Sequence, residues 1–224
     1  IEAGDGANTI TATSGDNTIT SGSGADTITV TSGDNTIHAG DGANTITATS
    51  GNNTITTGSG ADTITVTSGG NTIEAGDGAN TITATSGSNT ITTGSGADTI
   101  TTGGLAGTGN TIDAGDGANT ITTGDGSDMV TGGNGVDTIT TGGGDDIINA
   151  GGGDDIMTGG AGSDDFIFED GFGNDSIIDF EAFDVAEVII LSNVTGITDY
   201  SDLTANHLTA NASGDAVIFD GADT

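Results

Sequence analysis

The chain has 224 residues, with 33 Asp plus Glu, two His, 43 Gly, and no Lys, Arg, Pro or Cys. A formal charge of −33 excludes electrostatic binding to nucleic acid or anionic membrane, and the lack of cysteine removes disulfides, thiolate catalysis and cysteine–zinc sites. No run of about 20 apolar residues is present to insert as a membrane helix, and Ile, Leu, Val and Phe together make up only about 19%, a composition that with this charge would ordinarily read as disordered.

The order of the residues says otherwise. Isoleucine recurs at every ninth position from Ile1 to Ile100 without a miss. A three-residue insertion around Leu105 delays the next to Ile112, and the period then runs through Ile121, Val130, Ile139, Ile148, Met157 and Phe166. A fixed period this short means a solenoid in which each unit contacts its neighbours. Nine residues suit a short strand and a Gly-rich turn, as in SGSGADTIT from Ser21 to Thr29. Thr-Ile-Thr sends isoleucine to one face and both threonines to the other. Two units make a turn of 18 residues, so units alternate between two opposing sheets around a thin isoleucine core. Adjacent turns stack about 4.8 Å apart, and roughly nine of them before Phe168 predict a rod of about 45 Å.

Residues 1–122 form a Thr/Asn-rich stretch of such repeats, alternating between units like AGDGANTIT (3–11) and ATSGDNTIT (12–20). On one edge the sixth position of the unit alternates Asn8, Asp26, Asn44, Asp62, Asn80, Asp98. On the other it is always Asn, at 17, 35, 53, 71, 89 and 110. That second edge exchanges the first glycine for threonine, and an asparagine ladder there satisfies neighbouring amides without a metal.

One strand in each turn of this stretch reads Thr-Ile-Thr-(Ala or Val)-Thr. Stacking then gives three outward ranks: Thr9, Thr27, Thr45, Thr63, Thr81; Thr11, Thr29, Thr47, Thr65, Thr83; and Thr13, Thr31, Thr49, Thr67, Thr85. The opposite face is interrupted at His38, Glu74 and Asp113. Two readings stand side by side. β-Branched threonine suits any exposed strand and a flat scaffold or packing surface. Regular Thr-x-Thr ranks also resemble the flat faces of β-solenoid antifreeze proteins, which implies ice binding.

Residues 123–179 carry a sharper pattern. GGNGVDTIT (132–140) and GGAGSDDFI (159–167) fit GGxGxDxUx fully, and TGDGSDMVT just before them and TGGGDDIIN and AGGGDDIMT between them fit with one glycine altered. These residues resemble the RTX, or haemolysin-type, calcium-binding nonapeptide repeat proteins. The segment DDFIFEDGFGNDSIIDFEAFD (164–184) resembles the stretch that closes the roll in serralysin-type C-terminal modules. The resemblance implies an all-β fold: a right-handed parallel β-roll, or β-solenoid, of 18-residue turns with a C-terminal cap. It also implies several Ca²⁺ ions. A calcium ion takes six to eight oxygens, carboxylate and carbonyl together, and a Gly-rich turn offers carbonyls while its sixth position offers a carboxylate.

Turns on one edge recur every 18 residues, pairing Asp128 with Asp146, Asp146 with Asp164, and Asp137 with Asp155. The resemblance assigns these aspartates as ligands, and GFGND adds Asp175. Asp145 and Asp154 are neighbours expected to contribute charge rather than bonds. In the first half, Asp26, Asp62 and Asp98 are candidate ligands, with Asp5, Asp41 and Asp77 as third-position oxygens. Twelve of the acidic residues fall in 1–122 and 21 in 123–224, so self-repulsion is densest where calcium is expected, and metal binding there becomes folding free energy.

Residues 180–224 leave the period, with Phe180, Phe183, Val188, Ile189, Ile190 and Leu191, and read as a truncated cap that shields the last turn. SDLTANHL (201–208) predicts a short helix with Ser201 or Asp202 as N-cap, and DAVIFD (215–220) a strand. The chain begins in mid-repeat and stops at Thr224, which reads as a portion of a longer protein whose stack is continued by another turn or another chain.

No HExxH or GxSxG motif occurs; His38 falls on an exposed strand position and His207 in the cap, so the chain is not expected to be an enzyme. The resemblance implies a secreted extracellular or bacterial cell-surface module, exported unfolded by a type I system and folded by calcium outside. Expected partners are calcium and copies of itself, end to end or side by side, with neither nucleic acid binding nor membrane insertion.

Overall fold

The isoleucine period fixes a stack of two sheets, and the computed structural model describes residues 1–180, 187–198, 202–210 and 216–219. Phe183 and Ser201, and the ends Asp215 and Asp220 of the expected strand, lie outside the described residues. Among the described residues, the first sheet has 11 strands running from Glu2–Gly4 through Thr18–Ser21 and every second strand to Asp165–Phe168 and Val188–Leu191. The second has 12, from Thr9–Ala12 and Thr27–Val30 to Asn174–Ile177, followed by Ala216–Phe219 and Leu208–Ala210. About ten turns of two strands each make the roll.

Pairing is parallel and in register, Ile64 beside Ile82 and Ile82 beside Ile100. A slip of one residue would turn isoleucine to solvent, so the buried face holds the stack in phase. The insertion is absorbed outside the strands: Ile91 pairs with Ile112 and Ile100 with Ile121. Its residues turn outward, with Thr108 N–H donating to Leu105 O at 2.9 Å and the Leu105 side chain exposed.

One continuous core runs the length of the stack, from Ile10 to Ile218. From Thr9–Ala12 to Thr120–Thr122 each strand gives it one isoleucine, and the second sheet adds a smaller inward residue, Ala12, Val30, Ala48, Val66 or Ala84. At the C-terminal end the filling grows larger: Phe166, Phe168 and Phe172 are fully buried, with Phe168 and Phe172 edge-on at 5.1 Å and Phe166 and Phe180 at 6.2 Å.

There the parallel pairing stops. Ala216–Phe219 pairs antiparallel with Asn174–Ile177 and with Leu208–Ala210, which closes that edge as a cap. The expected helix is a single wide turn, Leu203–His207. Asp202 precedes it without capping it, because its carboxylate instead accepts from Thr198 N–H and Oγ1 and from Asn206 Nδ2. His207 is buried in the cap, with Nδ1 2.9 Å from Phe219 O. No helix among the described residues is long and apolar enough to cross a membrane.

Candidate cation sites

The turns place every sixth-position residue at the same corner, and two ladders result. One edge carries Asn8, Asp26, Asn44, Asp62, Asn80, Asp98, Asn119, Asp137, Asp155 and Asp175; the other runs from Asn17 to Asn110 and on through Asp128, Asp146 and Asp164. On both, Oδ1 of each accepts the backbone N–H of the equivalent residue one turn earlier. Examples are Asn119 N–H to Asp137 Oδ1 and Asp137 N–H to Asp155 Oδ1, both 2.7 Å. Asp155 to Asp175, Asp128 to Asp146 and Asp146 to Asp164 follow at 2.9, 2.8 and 2.9 Å. The pairs expected from the 18-residue spacing are stacked neighbours.

The second side-chain atom separates asparagine from aspartate. Asn44 Nδ2 donates back to Gly40 O and Gly42 O, both at 3.1 Å, and Asn80 Nδ2 does the same to Gly76 O and Gly78 O. With Oδ1 in the same role, an aspartate puts Oδ2 where that amide nitrogen sits, an oxygen turned toward carbonyl oxygens. Oδ2 of Asp26, Asp62, Asp98, Asp128, Asp137, Asp146, Asp155 and Asp164 is buried and makes no hydrogen bond. A buried polar atom without a partner costs free energy. A cation lodged among these oxygens would remove that cost and replace oxygen–oxygen repulsion with coordination.

Glycine makes the approach possible. Gly133 and Gly135 have φ of +101° and +135°, and a Cβ on either would strike the carbonyl of Gly115 or Gly117. A Cβ on Gly132 would strike Asp137 Oδ2 and the Ala150 carbonyl together, so the carboxylate of one turn and a carbonyl of the next converge there.

On the asparagine edge the residues are self-sufficient. Asn35 Nδ2 bonds Gly33 O at 2.8 Å and Asn53 Oδ1 at 2.9 Å, and its N–H bonds the same Oδ1 at 3.1 Å. The arrangement repeats from Asn17 to Asn110, whose N–H and Nδ2 both reach Asp128 Oδ1, at 2.6 and 2.8 Å. The expected ladder is present, and a cation has no role in satisfying it.

The outer acidic residues accept hydrogen bonds from neighbouring turns. Asp5, Asp41 and Asp77 do not turn their Oδ1 atoms inward. Each accepts from the backbone N–H and hydroxyl of Ser23, Ser59 or Ser95 one turn on, and those bonds hold the three carboxyls below the usual range. Asp145 and Asp154 accept from Ser163 N–H and Asn174 N–H, both at 3.0 Å. Sequence reasoning missed the buried first-position hydroxyls Ser21, Thr57 and Thr93, whose recurrence two turns apart on one edge was the signal available, and Thr123 and Thr141 on the other edge. Among the described residues no group of three or more carboxylates or imidazoles converges.

Burial, against the pull of the Asn119 N–H, raises the Asp137 carboxyl to about 7, and burial raises Asp146 and Asp155 to about 6 and Asp164 in the same direction. A folded pKa above the unfolded one gives stability that is present at low pH and lost as pH rises through the folded value. The metal-free protein is therefore expected to gain stability as pH falls from about 7 toward 4. Cations compete with these protons, so calcium affinity has the opposite slope. We expect half-saturation to need about tenfold more calcium or more at pH 5.5 than at pH 8, with proton release on binding, as calorimetry in buffers of different ionisation heat would show. A pH-independent affinity would mean that these carboxylates do not meet the ion.

The model of the RTX calcium-binding nonapeptide repeat, four copies long, matches residues 2–37, 29–64, 38–73, 65–100, 105–139 and 131–166. These segments together span well over half of the chain and include both ladders except Asp175. Comparison with curated proteins gives no match.

Proposed function

Because the chain belongs to the RTX calcium-binding nonapeptide repeat family, we propose that it is a structural module that takes up several calcium ions along its turn edges. Asp128, Asp146 and Asp164 serve one edge and Asp137, Asp155 and Asp175 the other. The observation that carries this reading is the row of buried carboxylate oxygens that lack a hydrogen-bond donor where asparagine has an amide. Bound calcium supplies positive charge and a demand for oxygen ligands, which these turns match in kind. Oδ1 keeps each carboxylate aligned by holding the previous turn, and the glycines bring the carbonyls within reach.

The module is non-catalytic. It works outside the cell, exported unfolded through a type I route and folded by external calcium, as scaffold in an adhesin, surface layer or filament. The repeat family, typical of secreted proteins, and the coupling of buried charge to metal support this. At saturating calcium, sedimentation velocity is expected to show either a compact monomer, as for a spacer, or particles that grow with protein concentration, as for a filament or lattice subunit. A protein that is compact and carries no calcium would contradict the proposal.

A second reading rests on the second sheet. Its outward positions are threonine through six successive turns, Thr9 and Thr11 to Thr99 and Thr101, paired in register. The third rank, Thr13 to Thr85, lies just beyond the strand ends and is exposed. The first sheet carries His38, Glu74 and Asp113 at the matching positions. Hydroxyls repeating about 4.8 Å across strands and about 6.6 Å along them form a regular, uncharged array suited to ordering water as ice does. Thermal hysteresis in folded protein, lost in Thr47→Tyr, is the outcome expected of an ice-binding face; an unchanged freezing point removes that reading.

A further inference from the structure

An asparagine side chain can be attacked by the backbone nitrogen of the residue that follows it, and the attack is least hindered when that residue is glycine, which has no Cβ. All ten asparagines of the two ladders, from Asn8 to Asn119, precede a β-branched threonine. Asn134–Gly135 is the one Asn–Gly step in the chain. It lies in the turn that leads to Asp137, and Asn134 is exposed. The stack nonetheless grips this peptide from both sides. Asn134 O accepts from Gly117 N–H and Gly135 N–H donates to Gly152 O, both at 2.6 Å. The side chain is held as well, with Asn134 Nδ2 donating to Asp116 Oδ1 at 2.7 Å. The nitrogen that would attack is tied to the next turn, and the amide group that would leave is tied to the previous one.

We infer that Asn134–Gly135 is a self-modification site, closed by the folded roll and opened when this turn unfolds, so that time spent without calcium is recorded covalently. Opening by calcium loss rests on the calcium reading of the repeats. In the unfolded turn Gly135 N attacks Asn134 Cγ. The new C–N bond closes a succinimide, and the side-chain nitrogen leaves as ammonia with the proton that Gly135 N gives up. Water then opens the ring at either carbonyl, leaving aspartate or isoaspartate, with no oxidant or further reactant. Neither product suits the folded turn. Aspartate sets a second carboxylate where Nδ2 now bonds Asp116 Oδ1, exchanging a hydrogen bond for a like-charge contact. Isoaspartate adds a carbon to the main chain between Gly133 and Gly135, two residues already pressed against the Gly115 and Gly117 carbonyls. Both changes fall in the turn that carries Asp137, so the modified chain needs more calcium to refold.

The test is peptide mapping with isoaspartate detection on the full chain, aged in mildly alkaline buffer with calcium, with chelator, and with urea plus chelator. Modification at Asn134 is expected to run about tenfold or more slower in calcium than in urea, because it waits on local opening. In chelator it approaches the urea rate, and the asparagines followed by threonine stay intact throughout. Equal rates at Asn134 in calcium and in urea overturn the inference. A slow rate in chelator beside a fast one in urea overturns the calcium reading for this turn and leaves its closure by the fold standing. The misfit of the product is read separately, from calcium titrations of folding by circular dichroism. N134D is expected to shift the calcium midpoint upward and D116N/N134D to recover most of that shift. A wild-type midpoint in N134D overturns the claim that the modified turn refolds less readily.

Discussion

Chelating calcium is expected to unfold residues 123–179 while the turns from Thr9 to Thr102 stay folded. Five buried carboxylates in the C-terminal half, Asp128, Asp137, Asp146, Asp155 and Asp164, have an oxygen without a hydrogen bond, and they sit on successive turns of both edges. Leaving a buried charge uncompensated costs on the order of 3–5 kcal/mol, against a net stability of about 5–15 kcal/mol for a whole domain. Protonation of Asp137, Asp146 and Asp155 relieves part of this near pH 6 to 7, but the carboxylates stack directly on one another and repel. The first half differs because one of its edges is a complete asparagine ladder, and its other edge meets a buried carboxylate only at alternate turns. In a stack where each turn contacts only its neighbours, one end can melt without the other. Limited proteolysis in chelator is expected to leave a resistant fragment ending near residue 122, and calcium to protect the chain through the cap. Uniform resistance in both conditions would contradict this.

Converting the C-terminal aspartates of the second edge into asparagines is expected to remove much of the calcium requirement. In D128N/D146N/D164N each new Nδ2 gains the donors' role that Asn110 already performs toward Asp128 Oδ1 and that Asn35 performs toward Asn53 Oδ1 and Gly33 O. Each site loses a buried charge and gains hydrogen bonds worth about 1 kcal/mol apiece. Metal-free stability should rise by several kcal/mol in total, and the calcium-dependent increment in denaturant midpoint should shrink accordingly. Reduced stability in chelator would show that Oδ2 of these aspartates already has a favourable partner.

Much of this was legible because a short period leaves few choices. Once isoleucine recurs every ninth residue, sheet membership, register and the inward face follow, as the Ile64, Ile82 and Ile100 stack shows. The corner position of the sixth residue follows too, and with it the stacking of Asp128, Asp146 and Asp164. What the period does not encode is which neighbour a flexible polar group prefers. Asp5, Asp41 and Asp77 reach across to a serine one turn on, a contact that depends on a rotamer rather than on spacing. Likewise the hydroxyls of Ser21, Thr57 and Thr93 read as ordinary strand residues until burial places them beside an aspartate. Beyond Asp179 the period ends, and the cap's antiparallel pairing and the wide turn at Leu203–His207 follow from side-chain packing that no repeat announces.

The most direct test of calcium as the missing partner of the buried aspartates is residue-resolved hydrogen exchange with and without the ion. The amides of Asp128, Asp137, Asp146 and Asp155 each donate to the next aspartate's Oδ1, so they report on the sites themselves. Slow exchange of these amides in calcium and fast exchange in chelator, with Asn35, Asn53 and Asn71 protected in both, is the expected result. Equal protection of the aspartate amides in both conditions would show that the roll holds its buried carboxylates without metal, and would contradict it.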